Sequence, residues 1–129
     1  MRIKLKLESI GASPSKIGLM AEIKELNIIL ASESIAAGAY VNIWNNSGTA
    51  NIRNADNTAA GKEAHGYVLS AVSSGTTGTV YFIGNNTAVT GQTVGVVFLG
   101  TVGATVSTAP SGSGNVVQRI GEATAATSV

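Results

Sequence analysis

The chain has no cysteine and only two prolines in 129 residues. Without thiols there is no disulfide framework and no thiolate metal site. Stability must then come from packing, β-pairing or assembly. Charge is scarce as well. Asp, Glu, Lys and Arg make up 12% of the residues, against a usual share of about 25%. The formal net charge of +1 leaves no electrostatic footprint for nucleic acid. Aromatic residues, at 5%, are too few and too scattered for a base-stacking platform. Long hydrophobic runs are missing too. The longest in the first half, Ile28-Ile29-Leu30-Ala31, is far too short to cross a membrane. The opening MRIKLKLESI carries cations but no continuous apolar stretch, so it does not read as a secretory signal. Neither nucleic acid nor a membrane is expected as a partner.

Apolar residues, by contrast, make up 44% of the chain, and there are 16 glycines. A normal apolar fraction argues for a folded protein rather than a disordered one. The length suits one domain with a real core. Residues 66–118 contain no Asp, Glu, Lys, Arg or His. Apolar β-formers alternate there with Gly, Ser, Thr and Asn. The surface is therefore expected to be Ser, Thr, Asn and Gly, which costs little to desolvate against another protein. A lone soluble monomer usually carries more charge, so the composition points to assembly.

Along the chain, Arg2 to Leu7 alternates strictly, with Ile3, Leu5 and Leu7 on one face and Arg2, Lys4 and Lys6 on the other. That is the period of a half-buried strand, or of an arm that orders against a neighbour. Residues 11–18 read as a loop. Residues 19–30 fit a helix or a strand, and the β texture of the rest favours a strand from about Ile23. From Ser34 onward the pattern is consistent. Tyr40 to Trp44 is a strand with Tyr40, Asn42 and Trp44 on one face, and Asn45-Asn46-Ser47-Gly48 is a hairpin turn. Ala50 to Arg53 returns. Tyr67 to Val72, Thr79 to Ile83 and Val96 to Leu99 read as strands too apolar to be exposed. A short strand is expected between Asn85 and Gly95. Thr105 to Thr108 and Val116 to Gly121 follow, with a last strand in 123–129. Turn signals recur about every 8–12 residues, the spacing of a sandwich or barrel. The expectation is an all-β fold, a small β-barrel or β-sandwich. Residues 1–33 form an extended N-terminal arm or edge strands, and residues 34–129 form the compact domain.

Candidate chemistry is thin. His65 is the only histidine, and Glu63 lies two residues away. An exposed or capping histidine before a strand is the plainer reading than a metal ligand. No G-x-S-x-G elbow is present. A carboxylate pair would have to come from Asp56, Glu63 or Glu122. Residues 75–78 and 112–114 lack the Lys-Ser/Thr ending of a phosphate loop and read as β-turns. Asn45-Asn46-Ser47 and Asn85-Asn86-Thr87 match a glycosylation acceptor pattern that an Asn- and Thr-rich chain meets by chance. Tyr40 and Trp44 share a strand face. They are either core or a contact hot spot between subunits. No catalytic role, metal or cofactor is expected.

Four segments carry a family resemblance. They are residues 36–42 (AAGAYVN), 64–68 (AHGYV), 89–101 (VTGQTVGVVFLGT) and 108–121 (TAPSGSGNVVQRIG). From Ser34 onward the chain resembles the small β-domain proteins that decorate or cement the heads of tailed bacteriophages. The resemblance implies a structural virion protein on the outer capsid surface, made in the host bacterial cytoplasm. Its partners would be the major capsid protein and itself, as a homotrimer. The N-terminal segment of such proteins often meets the capsid, which suits Arg2, Lys4 and Lys6 as capsid contacts and leaves Tyr40 and Trp44 as candidate subunit contacts. Similar segments occur in phage tail and fibre β-domains, so host-surface attachment is the alternative.

Overall fold

The computed structural model describes residues 26–129 together with the backbone of Arg2 and Ile3. Every regular element among them is a strand, so the fold is all-β. In chain order these are β1 (Arg2–Ile3), β2 (Leu26–Ala31), β3 (Tyr40–Asn46), β4 (Thr49–Asn54), β5 (Gly66–Tyr67), β6 (Thr77–Val80), β7 (Gly95–Leu99), β8 (Thr105–Val106) and β9 (Arg119–Ala123).

The expected hairpin forms between β3 and β4, in register from Val41 opposite Asn54 to Asn46 opposite Thr49. Its turn residues, Ser47 and Gly48, both have positive φ, 53° and 90°. That is what a two-residue primed turn requires. Asn45 Oδ1 accepts the Gly48 N–H at 2.7 Å and closes it. Pairing then runs almost full circle. β2 lies parallel to β4, β4 antiparallel to β3, and β3 antiparallel to β5. A bridge from Tyr67 to Tyr81 leads to β6, which pairs back onto β2. The result is a nearly closed barrel. The antiparallel sheet β8-β7-β9 packs beside it.

Alternation along β3 explains why there are two cores. Val41 points into the barrel with Ile29, Ala31, Ile52, Val68, Val72 and Val80. Tyr40, one residue earlier, points the other way, against Ala55, Tyr67 and Leu99, with Ile120 packed alongside. A strand buried on both faces joins barrel and sheet into one packed unit. Fully burying side chains such as Ile52 and Leu99 contributes roughly 1.5–3 kcal/mol each.

Several expectations need correcting. Of the run 67–72 only Tyr67 is ladder-paired, in a strand that begins at Gly66; Ser70 and Ala71 are exposed, and Val72 makes a single bridge to Ile35. The next strand is Thr77–Val80, and Phe82 and Ile83 beyond it are 47% and 94% exposed. Residues 85–94 hold no strand. Residues 68–76 connect β5 to β6 within the barrel, and beyond β6 the chain leaves the barrel to reach the second sheet at β7. Of residues 1–33, Arg2 and Ile3 pair antiparallel with Asn27 and Leu26. Ile29 and Ala31 stand in the barrel core. Lys4 and Lys6 lie outside the described residues.

The asparagines are the second correction. They were expected at the surface, yet Asn42, Asn51, Asn54, Asn57 and Asn86 are buried. Their amides bond backbone carbonyls, of loops at Glu63, Ser34 and Gly38 and of strands at Thr49 and Leu99. Asn57 Nδ2 donates to the Leu99 carbonyl at 3.0 Å. Asn86 Nδ2 donates to the Gly38 carbonyl at 2.9 Å, and its Oδ1 accepts from the Ala88 N–H. Among the described residues no buried side-chain polar atom lacks a partner. A chain without disulfides holds its long connections this way.

Candidate interaction site

An open cleft of about 300 Å³ lies between β5 and β9 and gathers several titratable groups. His65, Tyr67, Phe82, Gln118, Arg119 and Glu122 are among its lining residues. Tyr67 reaches it because β5 pairs with β3, opposite Tyr40. Its ring stacks on Tyr81 at a centroid distance of 5.6 Å and tilts against Tyr40 at 5.7 Å. Burial raises the Tyr40 hydroxyl above its ordinary pKa, against a lowering contribution from the Asn86 side chain. Burial and then the neighbouring Tyr81 raise Tyr67. Both hydroxyls therefore stay protonated and act as hydrogen-bonding groups at neutral pH.

His65 is exposed, and its Nδ1 accepts the Ile43 N–H at 2.9 Å. The backbone N–H of His65 donates to the Val41 carbonyl at 2.8 Å. The imidazole thus replaces the next rung of the β3–β5 ladder, the capping role expected of a histidine placed just before a strand. Nε2 is left to the solvent side. Glu63 is occupied separately. Its Oε2 accepts the Gly61 N–H and its carbonyl accepts from Asn42 Nδ2. Gln118 clamps the Ala64 backbone through both ends of its amide, at 2.8 and 2.9 Å. Among the described residues no group of three His, Cys, Asp or Glu side chains is placed to hold a metal ion. Residues 112–115 form a turn closed by Asn115 N–H to Gly112, whereas only the first half of 75–78 is turn: Thr76 N–H closes a turn onto Ser73, and Thr77 and Gly78 already pair with β2 in strand β6.

The residues singled out from sequence fall apart in space. Tyr40 is 6% exposed and belongs to the core between barrel and sheet. Trp44 is half-buried near the hairpin tip. Its Nε1 donates to Ser32 Oγ at 3.2 Å, and the Arg53 guanidinium lies 4.6 Å from its ring centroid. That cation–π contact spends the Trp face within the chain. Arg2 is placed in β1 beside β2.

Sequence reasoning missed three surface features. Large apolar side chains stand exposed at Phe82, Ile83, Val94, Val102 and Val117. Val102 also adopts φ 49°, a left-handed conformation that is an outlier for a β-branched residue. Asp56 holds it there, accepting the Val102 N–H at 3.1 Å as well as bonds from the Thr58 N–H and hydroxyl. Burial opposes ionisation of Asp56. The hydrogen bonds from Thr58 and Val102 and the charge of Lys62 outweigh it and hold the carboxyl below its ordinary value. Third, β9 has a strand neighbour on one side only among the described residues. No sequence signal marks the strained valine, since turns at such positions normally use Asn or Gly.

No family model matches the chain, and no curated protein or solved structure matches it either. Among the described residues no helix is long and apolar enough to cross a membrane.

Proposed function

We propose that this protein is a structural component of a tailed-phage particle. It binds the outer surface of the assembled capsid as a decoration or cement protein, with the major capsid protein and its own copies as partners. On this reading it is made in the bacterial cytoplasm, ends on the virion and has no catalytic role. The observation that supports it most is the surface. Phe82, Ile83, Val94, Val102 and Val117 project into solvent, while residues 66–118 supply no charge. Exposed apolar groups on a charge-poor all-β unit suit burial against other subunits. A partner that binds only the assembled state stabilises it by mass action, by about 2.7 kcal/mol per site at a hundredfold excess over Kd. Many such sites on one lattice add through effective concentration. The direct test mixes purified protein with undecorated capsids and follows co-sedimentation and capsid melting. Bound protein and a raised melting temperature are expected. Neither binding nor a shift would end the capsid reading.

A further inference from the structure

We propose that the edge of β9 without a strand neighbour among the described residues pairs antiparallel with the β9 of a second copy, about a two-fold axis between Ile120 and Gly121. β9 pairs with β7 through Gly95–Ala123, Val96–Glu122, Val97–Gly121 and Phe98–Arg119. Ile120 has no opposite number and forms a bulge. Arg119 and Glu122 are three positions apart, so in a regular strand they would face opposite sides. The bulge puts both on the outer face, opposite Phe98 and Val96, where they meet at 3.7 Å and remain 60% and 63% exposed.

This arrangement is self-complementary. Turning the strand about a point between Ile120 and Gly121 sets Arg119 of one copy across from Glu122 of the other, and the reverse. An isologous interface requires that match. Two opposite-charge pairs then flank the axis, each favourable across antiparallel strands.

Gly121 adds an independent observation. A Cβ there would meet only Val129 Cγ1, at an ordinary 3.7 Å, so packing within the chain does not demand glycine. Glycine inside a strand marks places where another backbone comes close. The paired sheets would continue the apolar outer face carrying Val96 and Val106, both 37% exposed. The joined strand would also roof the neighbouring cleft at Phe82, 47% exposed. Edge bulges usually discourage pairing by twisting the strand away. Here the bulge is what aligns the two charges.

The test is sedimentation equilibrium on the free full chain from about 1 μM to 1 mM, the range expected of a modest interface. A monomer–dimer equilibrium is expected. Glu122→Arg places like charges opposite each other and should weaken the dimer by about tenfold or more. The double charge swap Arg119→Glu with Glu122→Arg should restore it. Circular dichroism of each variant confirms the fold, since both side chains are exposed. A monomer throughout, or a dimer indifferent to Glu122→Arg, would overturn the contact. So would a trimeric mass, which the family resemblance implies. None of these outcomes bears on capsid binding, because the measurement contains no capsid.

Discussion

Val102 offers the most direct test of the physical reading. Replacing it with asparagine should stabilise the protein. The left-handed conformation costs an ordinary residue roughly 1–2 kcal/mol, and asparagine tolerates it. Valine at φ 49° therefore stores energy of that order. Its side chain is 65% exposed, so removing it forfeits only about a third of a full valine burial, roughly 0.5 kcal/mol. The turn itself is fixed from outside. Gly103 N–H donates to the Ala55 carbonyl at 2.6 Å, Tyr40 N–H donates to the Gly103 carbonyl at 2.9 Å, and Asp56 takes the Val102 N–H. The backbone should therefore stay where it is. The net expectation is a gain of about 1 kcal/mol, or a melting temperature higher by roughly 3–5 °C for a chain of this size. Val102→Gly relieves the same strain but frees the unfolded chain, costing about 0.4–1 kcal/mol. It should fall between wild type and the asparagine variant. Thermal unfolding by calorimetry with urea titration reads all three. An asparagine variant that melts at or below wild type, with unchanged urea slope, would refute the strain argument.

Three further outcomes are expected. Asn86→Asp replaces the amide that donates to the Gly38 carbonyl with a buried carboxylate facing it. It should lose about 3 kcal/mol or more at neutral pH, read as a lower urea midpoint. Gly38→Ala combines φ 79° with a Cβ placed 2.4 Å from the Ala88 carbonyl oxygen, whereas Gly91→Ala combines φ 66° with open space. The first should destabilise severely and the second by only about 1 kcal/mol; equal losses would show that the 36–39 and 88–89 loops do not meet as described. Asp56 has a folded-state pKa below its ordinary 3.8. Its contribution is therefore present above that pH and fades as the pH falls through the lowered value. Asp56→Asn should flatten the acid limb of the stability–pH curve, and an unchanged limb would show that the carboxylate does not stabilise the 56–58 and 102 turns.

The sequence by itself determined the class of fold and the strongest local element. Strict alternation with Asn, Ser and Gly punctuation specifies strands and turns because these are decided within a few residues. The β3–β4 hairpin at Ser47 and Gly48 came out as its local pattern required. Placing His65 just before a strand likewise anticipated its capping bond. Tertiary structure decided the rest. Tyr67 to Val72 and Thr79 to Ile83 have the texture of buried strands, but only Gly66–Tyr67 and Thr77–Val80 find ladder partners in the barrel. The surplus becomes connection, and Phe82 and Ile83 end in solvent. Buried asparagines look like surface residues in the sequence. They are satisfied inside only because segments distant along the chain bring carbonyls such as those of Gly38 and Leu99 within reach of their amides. Tyr40 and Trp44 share a face by periodicity, yet the second sheet covers Tyr40 and leaves Trp44 half open. Arg119 and Glu122 share a face only because the bulge opposite β7 shifts the register between them, and three-residue spacing carries no sign of that.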